Sequence, residues 1–204
     1  MLHRTLSVGV LFIAGLAVIP QDARAGLLSY EAFLDGPSES PPNASPGTGY
    51  ATLLIDTDTD MMTLNVEFQD LIGTTTAAHI HGPTAMPGAG TAGVAIGTPT
   101  FPVGVTGGNY LHTYDLTDTG TYNATFLANS GGTAAGAKAV LIATLTEGRG
   151  YFNIHTNVFP GGEIRGFFSP KAVPEPTSWM LLGVGATCVR LVRRRRFTAP
   201  SGQG

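Results

Sequence analysis

Apolar and polar residues alternate along five stretches of the chain, the pattern expected of β-strands that bury one face. The alternating stretches are residues 28–34, 51–55, 62–68, 151–158 and 164–168. Polar or glycine-rich residues separate the second stretch from the third, at 56–60, and the fourth from the fifth, at 160–162. Turns as short as these favour hairpins between neighbouring strands. The pattern therefore predicts an antiparallel β-sandwich.

One segment departs from this alternation and predicts a helix. Residues 133–146 are rich in alanine, leucine and isoleucine, and they follow a break at Gly131 and Gly132. The composition agrees with a β-rich chain, because 28 glycines and 14 prolines among 204 residues call for frequent turns. A charged fraction of 12% excludes long solvated helices. We therefore expect a mostly β domain with one short helix.

The charged residues are distributed unevenly along the chain. Residues 26–172 contain four basic and twelve acidic side chains, so this body carries a formal charge of −8, whereas the whole chain carries −3. The basic excess lies in the two ends of the chain. Nucleic-acid binding needs clustered lysine and arginine on the folded surface. The charge distribution therefore excludes DNA and RNA as partners of the body.

The N-terminal segment has the parts of an export signal. Basic residues precede an uncharged apolar run at residues 6–19, and small residues stand at Ala23 and Ala25, where signal peptidase needs them. The run is shorter than the about 20 residues of a bilayer-spanning helix, which favours a cleaved signal over a membrane anchor. We expect a signal helix at residues 1–25, cut by signal peptidase, and an exported domain at residues 26–172.

The C-terminal segment, residues 173–204, combines a proline-rich motif, an apolar stretch at 179–189 and arginines at 193–196. The motif consists of Val173, Pro174, Glu175 and Pro176. Prolines keep the motif extended, the apolar stretch partitions into lipid, and the arginines stay cytoplasmic. This order resembles the PEP-CTERM sorting signal of Gram-negative bacteria. The resemblance implies a membrane helix held transiently in the inner membrane, processing by an exosortase, and transfer to the cell surface or extracellular matrix; a retained anchor is the alternative.

Three histidines form the candidate functional site. Strand alternation places His79 and His81 together on one face of a strand, and it places His155 opposite the apolar positions of its own strand. Histidines two positions apart stand roughly 6.6 Å from each other along a strand, so both can reach one ion. The three imidazoles would form a site suited to copper or zinc. The Gly- and Pro-rich segment 82–93 is a candidate lid, and His112 is a weaker fourth ligand.

A structural role is the alternative interpretation of the same histidines, in which His79 and His81 hydrogen-bond to the loop at residues 82–93. Glu163 and Arg165 share one face of the closing strand, and with Asn153 and His155 they would form a polar network that holds loops in place. Polar clusters of this kind fix loops more often than they bind ions. The sequence leaves both interpretations open.

The strands that carry the histidines also resemble a known family. Residues 79–83, 151–156 and 162–166 are similar to motifs of the CHRD domain, first described in chordin and common in secreted bacterial proteins. The resemblance covers most of residues 27–169. It implies an immunoglobulin-like β-sandwich or barrel, distantly similar to copper-zinc superoxide dismutase, without an established enzymatic activity. That likeness gives the His-Ile-His strand a precedent as a copper-binding strand.

The sequence lacks the common catalytic motifs. It has no G-x-S-x-G elbow, no H-E-x-x-H and no cysteine within residues 26–172. We therefore expect a non-enzymatic cell-surface or matrix protein whose domain binds a surface polysaccharide or a protein, or builds the envelope. The alternative is a copper- or zinc-binding module that uses His79, His81 and His155. A dismutase-like oxidoreductase is the third hypothesis.

Overall fold

The computed structural model describes residues 26–171. The predicted signal peptide at residues 1–25 and the predicted sorting segment at 173–204, with its membrane helix, lie outside these residues. Across residues 26–171, no helix has the length and apolar character needed to cross a membrane. The described part is mostly β, as the alternation predicts.

The strands form one antiparallel sheet. They are β1 (Leu27–Asp35), β2 (Thr48–Asp56), β3 (Met61–Gln69), β4 (Thr75–His81), β5 (Val94–Gly97), β6 (Gly108–Asp115), β7 (Tyr151–Thr156), β8 (Ile164–Phe167) and β9 (Ser169–Pro170). The order across the sheet is β5-β4-β7-β8-β1-β2-β3-β6, and β9 pairs with β1. The sheet curls into a half-barrel, which agrees with a sandwich or barrel as a class. The immunoglobulin-like topology stays a prediction.

Both predicted hairpins are confirmed. Strands β2 and β3 pair without a break from Thr48↔Gln69 to Asp56↔Met61. Strands β7 and β8 pair up to Ile154↔Ile164, so the turn at residues 160–162 closes the second hairpin. The register follows from the alternation, because a slip by one residue would move every apolar side chain to the solvent face.

The hydrophobic core lies on the inner face of the curled sheet. Strand β1 pairs with β8 at Asp35↔Arg165 and with β9 at Tyr30 and Glu31, so β8 and β9 together join the two halves of the sheet. Apolar side chains from both halves, such as Leu53 and Phe152, are fully buried in one cluster. The opposite, outer face of β4, β7 and β8 is therefore available for polar side chains.

The helices include the predicted one and a second that the sequence analysis missed. Helix α2 (Ala134–Thr146) begins where expected, and the hydroxyl of Thr133 accepts a hydrogen bond from the amide of Gly136 at its start. The expectation of one short helix needs correction, because α1 (Ala124–Asn129) precedes it. Six residues are too few to give a helical period in the sequence.

Two connecting segments cover the outer face of β4, β7 and β8. They are residues 36–47, between β1 and β2, and residues 82–93, between β4 and β5. The Arg165 side chain on β8 holds both of them, since its Nε donates to the carbonyl of Ser38 and its Nη1 donates to the carbonyl of Gly90 at 2.9 Å. The predicted site residues therefore lie under connecting segments rather than on an open surface.

Candidate metal centre

The antiparallel register of β4 and β7 brings the three histidines together. His79 faces Asn153 across the strand pair and His155 faces Ala77, so the His155 ring lies diagonally beside the His79 ring. The ring centroids of His79 and His155 are 5.2 Å apart, those of His79 and His81 are 5.5 Å apart, and those of His81 and His155 are 6.0 Å apart. The predicted convergence of the three rings is present in the structure.

The spacing of the ring nitrogens suits a single ion. One nitrogen from each of His79, His81 and His155 can be chosen so that all three lie within 4.8 Å of one another. His79 Nδ1 and His155 Nε2 are 3.3 Å apart and form a hydrogen bond. The same distance is close to the about 3.4 Å expected for two nitrogens on one tetrahedral ion, which would replace that hydrogen bond. Within residues 26–171 this is the one such group of His, Cys, Asp or Glu side chains.

Carbonyl groups fix the tautomers of two of the histidines. His81 Nδ1 lies 3.0 Å from the carbonyl oxygen of Ala92, and His155 Nδ1 lies 3.0 Å from the carbonyl oxygen of Pro160. A carbonyl oxygen only accepts, so both Nδ1 atoms donate and both Nε2 atoms carry a lone pair. Metal-binding histidines commonly have this arrangement, in which the second ring nitrogen donates to a carbonyl.

The Nε2 atom of His81 is buried and has no hydrogen-bond partner. The residue is 9% exposed. Buried polar atoms are nearly always partnered, so an unpartnered one needs an explanation such as an ion. In the part of the chain that the structure describes, only Asn153 Oδ1 shares this condition, and Asn153 lies on the same outer face of β7.

The electrostatic surroundings keep the imidazoles neutral. Burial lowers the pKa of His81 to about 4; the Ala92 hydrogen bond opposes this effect, and the neighbouring histidines and Arg165 add to it. Burial also lowers the pKa of His79, with a further contribution from His155, and burial lowers the pKa of His155 against its hydrogen bond to Pro160. A neutral imidazole is the form that binds a metal ion.

The Arg165 side chain supports the site from one side. Its guanidinium lies over the Tyr151 ring, 5.0 Å from the ring centroid, and that ring stacks on His81 at 4.8 Å between centroids. Arg165 Nε also lies 3.8 Å from Glu39 Oε2, and Asn153 Nδ2 donates to Glu39 Oε1 at 2.5 Å. This column of side chains fixes the His81 ring against the strand.

The predicted polar network is divided in two. Glu163 accepts hydrogen bonds from Ser45 Oγ at 2.6 Å and from Thr156 Oγ1 at 2.7 Å, and its other donors are the amides of Ile72 and Gly73. In residues 26–171 no hydrogen bond joins Glu163 to Arg165, Asn153 or His155. The expectation of one network must be corrected, because the side chain of Glu163 turns towards other loops.

The pKa values of the two buried carboxyl groups, Glu39 and Glu163, are shifted in opposite directions. Burial raises the pKa of Glu39 to about 6, against the opposing effect of Arg165. Burial would also raise the pKa of Glu163, but the hydrogen bonds from Ser45, Thr156, Gly73 and Ile72 outweigh it and hold the pKa below its usual value. Glu163 thus favours its ionised form and links two connecting segments to the end of β7.

Several contacts of the site had no signal in the sequence. Glu39 and Ser45 lie on a connecting segment far from the histidines along the chain, and only the fold brings them close. The contact of His81 with the carbonyl of Ala92, by contrast, lies in the segment 82–93 to which the structural interpretation assigned such hydrogen bonds. His112, the weaker candidate, lies elsewhere, on β6 between the rings of Tyr110 and Tyr114. It is not part of the histidine group.

Comparison with known proteins agrees with the sequence motifs. The CHRD domain model matches residues 30–168, which is more than half of the chain, and the PEP-CTERM protein-sorting motif matches residues 172–196. Neither the curated proteins nor the solved structures contain a match. The sorting motif supports export and processing by an exosortase, as in Gram-negative bacteria. The chain belongs to the CHRD domain family and carries a C-terminal PEP-CTERM sorting motif.

Proposed function

We propose that this exported protein acts at the cell surface or in the extracellular matrix, and that its CHRD domain binds one copper or zinc ion through His79, His81 and His155. The buried, unpartnered Nε2 atom of His81 carries the proposal. A ligand nitrogen from each of the other two histidines lies within 4.8 Å of the one that His81 offers. A purely structural cluster would be expected to satisfy that atom.

The donor set supports the choice of metal. Neutral imidazole nitrogens suit copper and zinc, whereas calcium and magnesium prefer oxygen ligands. Three protein ligands leave a further coordination position, as in sites where the ion polarises a bound water or small ligand. The residues of this chain hold the rings in place: the carbonyls of Ala92 and Pro160 orient two of them, and Tyr151 supports His81.

The route to the surface forms the second part of the proposal. Signal peptidase removes residues 1–25, the segment at 173–204 holds the protein transiently in the inner membrane, and an exosortase recognises the Pro174-Glu175-Pro176 motif. The match of the sorting motif to residues 172–196 supports this route. The domain then reaches the surface or the matrix without its tail.

The experiment compares the exported wild-type protein with two variants. We expect the wild type, stripped by a chelator and titrated with Cu²⁺ or Zn²⁺, to bind one ion per chain. At a metal concentration 100 times the dissociation constant, binding should raise the free energy of unfolding by about 2.7 kcal/mol. His81→Gln should abolish this gain, while His112→Gln should retain it, because His112 lies outside the group. Calorimetry and urea unfolding give the two readouts.

Two results would contradict the metal site. One is a wild type that binds no ion and gains no stability from either metal. The other is equal binding by the wild type and His81→Gln, which would place the ion elsewhere. Either result would leave the structural interpretation of the histidines.

A further inference from the structure

The two ends of the sheet differ in how their outer edges are covered. At one end, β5 is bridged by the pair Ile96↔Tyr122, and Asn123 N donates to Ala95 O at 2.8 Å. At the other end, β6 pairs only with β3. Among the described residues, the backbone of residues 109–114 makes no hydrogen bond besides those to β3. Strand β6 therefore presents an open edge.

Side chains rather than backbones bridge the gap between β5 and β6. Tyr114 Oη donates to the carbonyl of Gly97 at 3.1 Å, and Tyr110 Oη donates to the carbonyl of Pro99 at 3.1 Å. Paired strands lie about 4.8 Å apart and exchange backbone hydrogen bonds. Near β5, the carbonyls of Gly97 and Pro99 accept from tyrosine hydroxyls rather than from the backbone of β6. The distance between β5 and β6 is therefore larger than the spacing of paired strands.

A groove of about 700 Å³ occupies this gap. Residues 112–115 of β6 line one side, and His79, Val94 and residues 97–99 line the side of β5. Asp118 and residues 120–123, which follow β6 along the chain, complete the lining. Added side-chain volume at Gly97 would meet nothing within 4 Å, so the space beside Gly97 is open. The groove thus borders the C-terminal half of the free edge of β6 and has room for additional polypeptide.

Strand β6 lacks the features that usually protect an edge. It contains no proline and no lysine, and its register with β3 runs without a bulge from Gly108 to Asp115. Leu111, at the middle of the strand, is 71% exposed on the outer face. An unprotected eight-residue edge of this kind can accept a further strand through its backbone groups.

The charges indicate what kind of strand would bind. Asp115 and Asp118 lie at one end of the groove, and residues 26–172 carry a formal charge of −8. A second copy of the domain would meet like charge, whereas a basic segment would be attracted. We propose that the open edge of β6 binds an extended, basic segment of a partner protein as an additional strand. The groove adjoins the proposed metal site at His79, but the backbone edge of β6 that would pair with the added strand does not include that residue.

The probe for the test is an N-acetylated decapeptide of alternating lysine and valine that carries a fluorescein label at its C-terminus, measured against the purified full-length protein by fluorescence anisotropy. We expect saturable binding that weakens with added salt, and at least tenfold weaker binding of the same peptide with glutamate in place of lysine. A strand added to an edge uses the backbone groups of alternate residues. N-methylation of one alternate set should therefore weaken binding at least tenfold, and methylation of the other set should have little effect.

Matched protein variants locate the binding site. Leu111→Lys adds a positive charge at the edge, and we expect it to weaken binding of the lysine peptide at least fivefold. Val158→Lys makes the same charge change at a residue that is 50% exposed, in the connection between β7 and β8, and should leave the affinity unchanged. Thermal unfolding of both variants confirms that each one is folded before binding is compared.

Three results would overturn the proposal. Equal weakening by both methylated peptides, or by neither, would mean that no added strand forms. Equal affinities of Leu111→Lys and Val158→Lys would place the peptide elsewhere. Light scattering that shows a dimer of the wild type, lost in Leu111→Lys, would assign the edge to a second copy of this chain.

Discussion

Two buried polar clusters lie near β7 and β8, one at the ends of these strands around Glu163 and one on the outer face around His81, and they differ in how completely they are satisfied. Around Glu163, two hydroxyls and two backbone amides fill the acceptor positions of one carboxylate. Around His81, the Nδ1 atom donates to a carbonyl, but the Nε2 atom is buried without a partner. The first cluster is complete as the chain folds, whereas the second lacks one contact.

This difference bears on the proposed metal site. Leaving a buried polar group unsatisfied costs about 1–3 kcal/mol. A cluster that only held loops together would gain stability by closing that gap, as the Glu163 cluster does. The unpartnered nitrogen of His81 therefore supports the proposed ion, which would supply the missing contact.

The largest expected effect comes from breaking the complete cluster. Glu163→Leu leaves the amides of Ile72 and Gly73 without an acceptor. It also leaves the buried hydroxyls of Ser45 and Thr156 without the carboxylate to which they donate. We expect the free energy of unfolding to fall by about 4 kcal/mol, measured by urea unfolding. The matched control is Glu147→Leu, because Glu147 makes an exposed ion pair with Arg149 and should change stability by less than about 1 kcal/mol. Equal losses of unfolding free energy in the two variants would mean that the Glu163 cluster stabilises the fold no more than an exposed ion pair does.

The next effect concerns the pH dependence of the histidine cluster. Burial lowers the pKa of His81 to about 4 in the folded protein from its ordinary value of 6.5, so the unfolded chain binds the extra proton and stability falls as the pH drops from 6.5 towards 4. The contribution of His81 is about 3 kcal/mol over this range.

Comparison with His81→Gln isolates this contribution. Glu39 acts in the opposite direction, because its raised pKa favours the folded state at low pH, but it is present in both proteins and cancels in the difference. Urea unfolding of chelator-treated protein between pH 4 and 7.5 should show the wild type losing about 3 kcal/mol relative to the variant. Parallel curves for the two proteins would mean that His81 is not buried in its neutral form.

The smallest effect tests a single hydroxyl of the complete cluster. Thr156→Val keeps the shape of the side chain but removes the hydroxyl, which donates to Glu163 at 2.7 Å and also accepts from the amide of Phe159 at 3.1 Å, so two hydrogen bonds of one group are lost. We expect a loss of about 1.5 kcal/mol in the free energy of unfolding. Thr63→Val removes an exposed hydroxyl that contacts Thr113 and should have almost no effect. Metal binding should be unchanged in both variants, since neither threonine belongs to the histidine group.

The sequence predicted the elements of the fold better than their arrangement. The alternation located strands β1, β2, β3, β7 and β8 and two hairpins, because pairing of adjacent strands is a local property of the chain. The short strand β5 and helix α1 were not predicted, since elements of four and six residues show no clear period. The order of strands across the sheet depends on packing between distant segments, which no local pattern records.

For the candidate site, too, the sequence predicted some features and only the fold decided the others. The His-x-His spacing by itself placed His79 and His81 on one face, and the motif around His155 indicated the third ring. The sequence also determined the export and sorting of the protein, because short linear motifs carry that information. Only the tertiary structure decided that Glu163 and Arg165 belong to separate clusters, that Glu39 joins one of them, and that β6 has an open edge. These features depend on loops that approach each other in space, and their hydrogen bonds are set by the fold rather than by neighbours along the chain.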